Sequence, residues 1–165
     1  PPQFRRTVAA FAYAFPLDKL VLALKYREKL GLAKLLANQL AQQVSIRPDC
    51  IIPMPLHPQR LRERGFNQSL QLSRQLGEQL GLPVLPRACL RLRNTPSQSG
   101  LPWKERSKNV RRAFSCPADV RSKHIAIVDD VMTTGATLNE LARTLLDAGA
   151  AEVSCWVVAR TLPPH

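Results

Sequence analysis

The sequence is poor in aromatic and acidic side chains, and it contains no long apolar run. Its 165 residues include two Trp, two Tyr and five Phe, and 12 Asp and Glu stand against 24 Lys and Arg. The longest apolar stretches fall far short of the roughly 20 residues that a membrane helix needs, and no signal-peptide pattern is present. A soluble cytoplasmic protein is therefore expected. The four cysteines, Cys50, Cys89, Cys116 and Cys155, stand singly, with no CxxC and no local pairing with histidine. That spacing speaks against a metal site and for reduced, structural thiols. No internal repeat is found, and no Lys follows a glycine at the spacing of a Walker A loop.

Positive charge is what the chain has in excess. The formal net charge is +12, and residues 57–112 hold twelve Lys and Arg against only Glu63, Glu78 and Glu105. About nine of the twelve net charges thus fall in one stretch, which suits a local anionic partner better than a general need for solubility. Pyrophosphate and a nucleic-acid backbone both fit, and charge does not choose between them.

With 45% apolar side chains, residues 1–165 are long enough for one domain with a real core. Residues 7–14 read as a short strand. Leu17, Leu20, Val21 and Leu24 recur at helical spacing, closed by Lys25, Tyr26 and Arg27, and Leu32, Leu35, Leu36 and Leu40 begin a second helix. CIIPMPL at 50–56 reads as a buried strand that its prolines place at an edge or near its end. The basic run HPQRLRERG follows as a loop, and then Leu72, Leu76 and Leu80 mark a helix stopping at Gly81.

Residues 82–92 are expected to be extended, 94–109 to form a mobile loop, and 110–116 another strand. HIAIV at 124–128 is the clearest buried strand, followed by a helix through Leu138, Leu141, Ala142, Leu145 and Leu146, and by the strand VSCWVVA. Strands alternating with helices predict an α/β fold with a mainly parallel central sheet.

The segment VDDVMTTGAT at 128–137 carries the most specific chemistry. A loop between a buried strand and a helix lies at the carboxyl edge of such a sheet, where ligands bind. Free amides at the helix start favour a phosphate, Thr133, Thr134 and Thr137 add hydroxyl donors, and Gly135 permits close approach. Asp129 and Asp130 repel phosphate, but they accept hydrogen bonds from vicinal hydroxyls or hold a hydrated Mg²⁺. Adjacent side chains of a regular strand point to opposite faces, so both can serve one ribose only where the backbone departs from strand geometry. Phosphate donors beside paired acceptors describe a ribose 5-phosphate.

VDDVMTTGAT resembles the signature with which the phosphoribosyltransferase fold binds 5-phosphoribosyl-1-pyrophosphate (PRPP). Together with LKYREKLGLAKLLA, DCIIPMPLHPQRLRERGFNQSLQLSRQL, RNTPSQSGL and ERSKNVRRAF, it is similar to the ComF/GntX family, for which RGFNQS is the more diagnostic element. The resemblance implies a type I phosphoribosyltransferase-like fold with a flexible hood over 94–109. It also implies Asp129 and Asp130 on the ribose, and Thr133, Thr134, Gly135, Ala136 and Thr137 around the 5-phosphate.

By the same resemblance, Arg60, Arg64, Asn67, Gln68 and Lys25 are candidates for the pyrophosphate, with Arg62 in the same loop. Gln98, Arg106 and Asn109 are candidates in the hood, and Mg²⁺ would arrive with PRPP. Transferases for 6-oxopurines usually place an aspartate base in the loop. Thr133 stands at that position here, which argues against such an acceptor and leaves the nucleobase or amine open. The second implied role is in competence or DNA utilization, with single-stranded DNA or uptake proteins as partners. Family members usually carry a cysteine-rich, zinc-finger-like segment ahead of the region where this sequence starts, PPQFRR, so no zinc is expected of these residues.

Overall fold

The structure is a computed structural model that describes residues 1–26, 29–95 and 101–162. Its elements are β1 (Arg6–Ala12), α1 (Leu17–Tyr26), α2 (Leu30–Ala41), β2 (Cys50–Pro53), α3 (Pro58–Arg64) and α4 (Gln68–Leu80). They continue as β3 (Leu90–Arg91), α5 (Trp103–Asn109), β4 (Phe114–Ser115), β5 (His124–Met132), α6 (Ala136–Asp147) and β6 (Glu152–Arg160). Four strands form a sheet of order β1-β6-β5-β2, with every pair parallel.

The central strands are apolar on both faces, as a doubly covered parallel sheet requires. Ile125 and Ile127 of β5, with Val153, Cys155 and Val157 of β6, meet α6 and the small β3–β4 ribbon on one side. Ala126, Val128, Trp156 and Val158 alternate to the other side, where α1, α2 and α4 supply Leu24, Leu36, Leu40, Leu72 and Leu76. The helical spacing seen in sequence is thus the buried face of each helix. Among the described residues, no helix is long and apolar enough to cross a membrane.

Four local expectations change. The basic run after β2 is helical, because His57 caps the Gln59 amide, Pro58 opens the first turn and Gly65 ends it at φ 86°. Residues 82–92 make only one isolated bridge, Ile51 to Val84, before the two-residue β3. Pro83 and Pro86 remove donors there. The expected strand at 110–116 shrinks to Phe114–Ser115 behind Arg112, which lies at φ 55°. The expected loop 94–109 includes helix α5; its residues 96–100, like Arg27 at the end of α1, lie outside the described residues.

Gly77 permits the closest helix contact in this core. A Cβ there would lie 2.6 Å from Val84 Cγ2 and 2.8 Å from the Leu82 carbonyl oxygen, which is backbone and cannot rotate away. Helix propensity alone makes Gly→Ala stabilising by about 1 kcal/mol. Overpacking against a fixed carbonyl outweighs it, so Gly77→Ala is expected to lower stability by about 1–3 kcal/mol in urea unfolding. An unchanged or raised midpoint would show that propensity wins.

Candidate functional site

The sheet opens at its carboxyl end because its two neighbours of β5 have different lengths. Pro53 pairs with Val128 at the last position of the β2–β5 ladder, whereas β6 accompanies β5 as far as Met132, opposite Arg160. Past Val128, the β2 side of β5 is therefore free to line a cleft of about 420 Å³. This is the crevice that open α/β sheets offer to ligands.

Asp129 and Asp130 stand on that freed edge, still within β5, and both line the cleft. Each carboxylate folds back on the next amide: the Asp130 N–H donates to Asp129 Oδ1 at 2.8 Å, and the Val131 N–H donates to Asp130 Oδ1 at 2.8 Å. The alternation of faces breaks at this point, since Asp130 has no partner in the β5–β6 register and Val131 packs on the face of Val128, and both side chains reach one cleft. Ser69 Oγ donates to Asp129 Oδ1 at 3.1 Å, Lys25 Nζ lies 3.4 Å from Asp130 Oδ2, and Gln68 Nε2 donates to the same oxygen at 3.5 Å. Burial, followed by the neighbouring Asp130 charge, pushes the Asp129 carboxyl well above the usual carboxylate range.

The loop after β5 turns into α6 at Gly135, whose φ is 80°. Thr134 Oγ1 accepts from the Ala136 N–H at 3.1 Å, fixing the turn. The amides of the first helical turn precede any intrahelical acceptor, and the helix dipole adds partial positive charge. Thr133, Thr134, Gly135, Ala136 and Thr137 all line the cleft.

Cations form the facing walls. Arg64 of α3 donates to Gln68 Oε1 at 2.7 Å, which links it through Gln68 to Asp130. Arg60 Nε donates to Asn94 Oδ1 and its Nη2 to the Thr95 carbonyl, while Arg91 Nη2 donates to Thr95 Oγ1. Arg91 also stacks over Phe114, 5.4 Å from the ring centre. Burial first, and then the nearby Arg60, lower the Arg91 pKa. From α5, Arg106 Nη1 donates to Thr133 Oγ1 at 3.2 Å. Lys25, Arg60, Arg64, Arg91 and Arg106 thus share one cleft with two carboxylates. Such an excess of desolvated cations suits an anion with several charges.

Of the residues singled out in sequence, Asn67 and Asn109 stand outside the cleft lining. Asn67 caps α4 by accepting from the Ser69 and Leu70 amides, and it donates to the Met54 carbonyl. Arg62 is exposed, and Gln98 lies outside the described residues. Lys25, counted beside the pyrophosphate loop, is the ion-pair partner of Asp130. Sequence reasoning missed Tyr13, Ser69 and Arg91 on the lining and Thr95 behind it. Ser69 follows directly on RGFNQ and was within reach. Arg91 was not, because its position depends on the β3–β4 ribbon.

Similarity to known proteins agrees with this geometry. Glutamine PRPP amidotransferase from B. subtilis, complexed with ADP and GMP, superposes with a TM-score of 0.57 at 21% identity, covering 83% of this chain and 30% of that one. The fold is accordingly that of the type I phosphoribosyltransferases. The phosphoribosyl transferase domain profile matches residues 31–162. DNA utilization protein YhgH of Salmonella typhi is 38% identical over 170 residues, covering 98% of this chain and 75% of that protein. Competence protein F of Haemophilus influenzae is 34% identical over 171 residues, covering 96% and 74%. The chain belongs to the phosphoribosyl transferase domain family, among relatives named for competence and DNA utilization.

The carboxylate pair makes a pH-dependent cost to stability. Because the folded pKa of Asp129 is raised, the folded chain holds a proton that the unfolded chain releases, and stability falls as pH rises from the ordinary carboxylate range towards neutrality. Asn keeps an acceptor for Ser69 but carries no charge. Asp129→Asn is expected to raise the melting temperature by about 3 °C at neutral pH. The gain should shrink as pH falls through the ordinary carboxylate range and vanish below about pH 3, where Asp129 is largely protonated in both states; a pH-independent difference in calorimetric scans would contradict the assignment.

Proposed function

We propose that the cleft binds PRPP, with Asp129 and Asp130 accepting the ribose hydroxyls and residues 133–137 enclosing the 5-phosphate. The observation that carries this reading is the placement of paired acceptors next to a helix N-terminus ringed by threonines, in one cleft. Arg60, Arg64 and Arg91 then serve the pyrophosphate, and Arg106 closes from α5 over the phosphate loop. Concentrated donors stabilise charge developing on a leaving pyrophosphate.

A divalent cation fits this donor set as a companion of the ligand. Among the described residues, no group of three or more His, Cys, Asp and Glu could hold a metal ion. Asp129 and Asp130 would share Mg²⁺ with ligand oxygens and water, in the manner of ions that arrive with phosphates. The ion would add charge neutralisation on the pyrophosphate.

The reaction consistent with these parts is phosphoribosyl transfer to a nucleobase or amine that remains to be identified. Thr133 stands where 6-oxopurine transferases place a base, and its oxygen accepts from Arg106. A hydroxyl in that position does not take up a proton. Among the described residues, Asp129 and Asp130 are the only carboxylates on the lining, and no histidine joins them.

Isothermal calorimetry with PRPP and Mg²⁺ tests the reading. Wild type should release heat, and the double variant Asp129→Asn/Asp130→Asn should bind at least ~10-fold more weakly, equivalent to about 1.4 kcal/mol. Arg91→Met should weaken binding as well. No heat with wild type would overturn the proposal.

A basic groove between α5 and α6 favours a second reading, in which the chain handles DNA without catalysis or with little of it. It is lined by Ser107, Lys108, Arg111, Arg112, Glu140 and Arg143, and Glu140 is neutralised by Arg143 at 2.6 Å. Single-stranded DNA would meet it through backbone phosphates, since no aromatic side chain among the described residues lines the groove. Replacing Lys108 and Arg111 by Gln should weaken binding of a labelled oligonucleotide and reduce its log–log salt slope by roughly one per lost contact. Unaltered binding, or none at low salt, would dismiss this surface.

A further inference from the structure

Cys89 and Cys116 are separated in sequence but meet across the β3–β4 ribbon. Leu90 pairs with Ser115 and Arg91 with Phe114 in an antiparallel register, so the next step outward sets Cys89 opposite Cys116. The type of this last pair follows from the ladder. The Leu92 N–H donates to the Ala113 carbonyl at 2.7 Å, which makes 92 and 113 a hydrogen-bonded pair. Pairs alternate along an antiparallel ladder. Arg91 and Phe114 are therefore non-bonded, Leu90 and Ser115 bonded, and Cys89 and Cys116 non-bonded.

Non-bonded partners have the closer spacing, with Cα atoms about 4.5 Å apart, inside the roughly 4.4–6.8 Å that a disulfide spans. The ladder ends there because Pro117 has no N–H to continue it. The two thiols are electrostatic neighbours, and Cys116 Sγ donates to the Ala118 carbonyl at 3.7 Å.

We propose that Cys89 and Cys116 are a thiol-modification site that forms a reversible cross-strand disulfide under the hood segment. Accessibility orders the steps: Cys116 is half-buried, whereas Cys89 is 4% exposed. The Cys116 thiolate attacks one sulfur of a low-molecular-weight disulfide and releases the first small thiol. Cys89 then gives up its proton and displaces the second small thiol from Cys116. The two protein thiols are oxidised, one small disulfide is reduced to two thiols, and both protons leave on those thiols.

The position makes the bond consequential. The ring it closes runs from Cys89 to Cys116 and contains Arg91, which lines the cleft and donates to Thr95, and Arg106, which reaches Thr133 from α5. A covalent link at the base of that segment removes conformations in which the ribbon separates and carries Arg91 away from the cleft. Among the described residues, the reduced ribbon is held by two paired positions and the Leu92–Ala113 hydrogen bond. Disulfide formation therefore restricts the hood without occupying the cleft.

The test is to incubate the reduced chain with oxidised glutathione, alkylate the remaining thiols and map peptides by mass spectrometry. The expected product is lighter by about 2 Da than the reduced chain and contains a peptide pair joining Cys89 to Cys116. Cys116→Ser and Cys89→Ser should each abolish that pair, and Cys50→Ser should not. Trypsin should cut the Arg- and Lys-rich stretch 93–112 at least ~3-fold more slowly in the oxidised chain, with dithiothreitol restoring the rate. A stable glutathione adduct on Cys116 with Cys89 still alkylated would overturn the proposal, as would linkage of either residue to Cys50. Equal cleavage rates would refute the restriction of the hood. Neither readout involves PRPP, so failure of these outcomes is distinct from failure of the cleft assignment.

Discussion

Two adjacent carboxylates held at the open end of β5 impose the constraint that the surroundings answer. Burial and the charge of Asp130 both disfavour an ionised Asp129. Here Lys25 comes from α1, Ser69 and Gln68 come from the first turn of α4, and the strand's own amides close on both side chains. The pair can stand there only because β2 stops at Pro53 and leaves that edge of β5 unpaired. Site and fold are coupled at one register position.

The cationic walls follow from the same geometry. α3 leaves the end of β2 and carries Arg60 and Arg64 towards the aspartates, while the β3–β4 ribbon brings Arg91 in from the other side. Like charges held this close persist because neutral groups hold them: the Thr95 carbonyl takes Arg60, and the Thr95 hydroxyl and the Phe114 ring take Arg91. The walls are thus prepared for an anion before one arrives, which limits the reorganisation that binding demands. α5 adds Arg106, which donates to Thr133 in the loop after β5.

Legibility in the sequence was greatest where a local rule is strong. Helical spacing of Leu17, Val21 and Leu24, or of Leu72 and Leu76, identified buried helix faces, and the apolar run in HIAIV identified the central strand. The turn from β5 into α6 was legible because the strand, Gly135 and the helix are contiguous. The helix after His57 was missed although His-Pro before it and Gly65 behind it are boundary signals; a run of charge had been read as loop. The expectation that both aspartates share a site only where the backbone departs from regular strand geometry agrees with the break there: Asp130 has no partner in the β5–β6 register, and beyond it Val131 packs with Val128 and Met132 with Ile127.

What the sequence by itself determined is the α/β class, the family, and a threonine- and glycine-bearing loop next to two carboxylates, because each depends on residues close together in the chain. The tertiary structure decided which cations face that loop, that Asn67 caps a helix instead of lining the cleft, and that Cys89 lies opposite Cys116. The physical reason is register: where β2 ends against β5, and where β3 meets β4, depends on prolines, packing and pairing between distant segments. A shift of one residue in either ladder would send the same side chains to the opposite face.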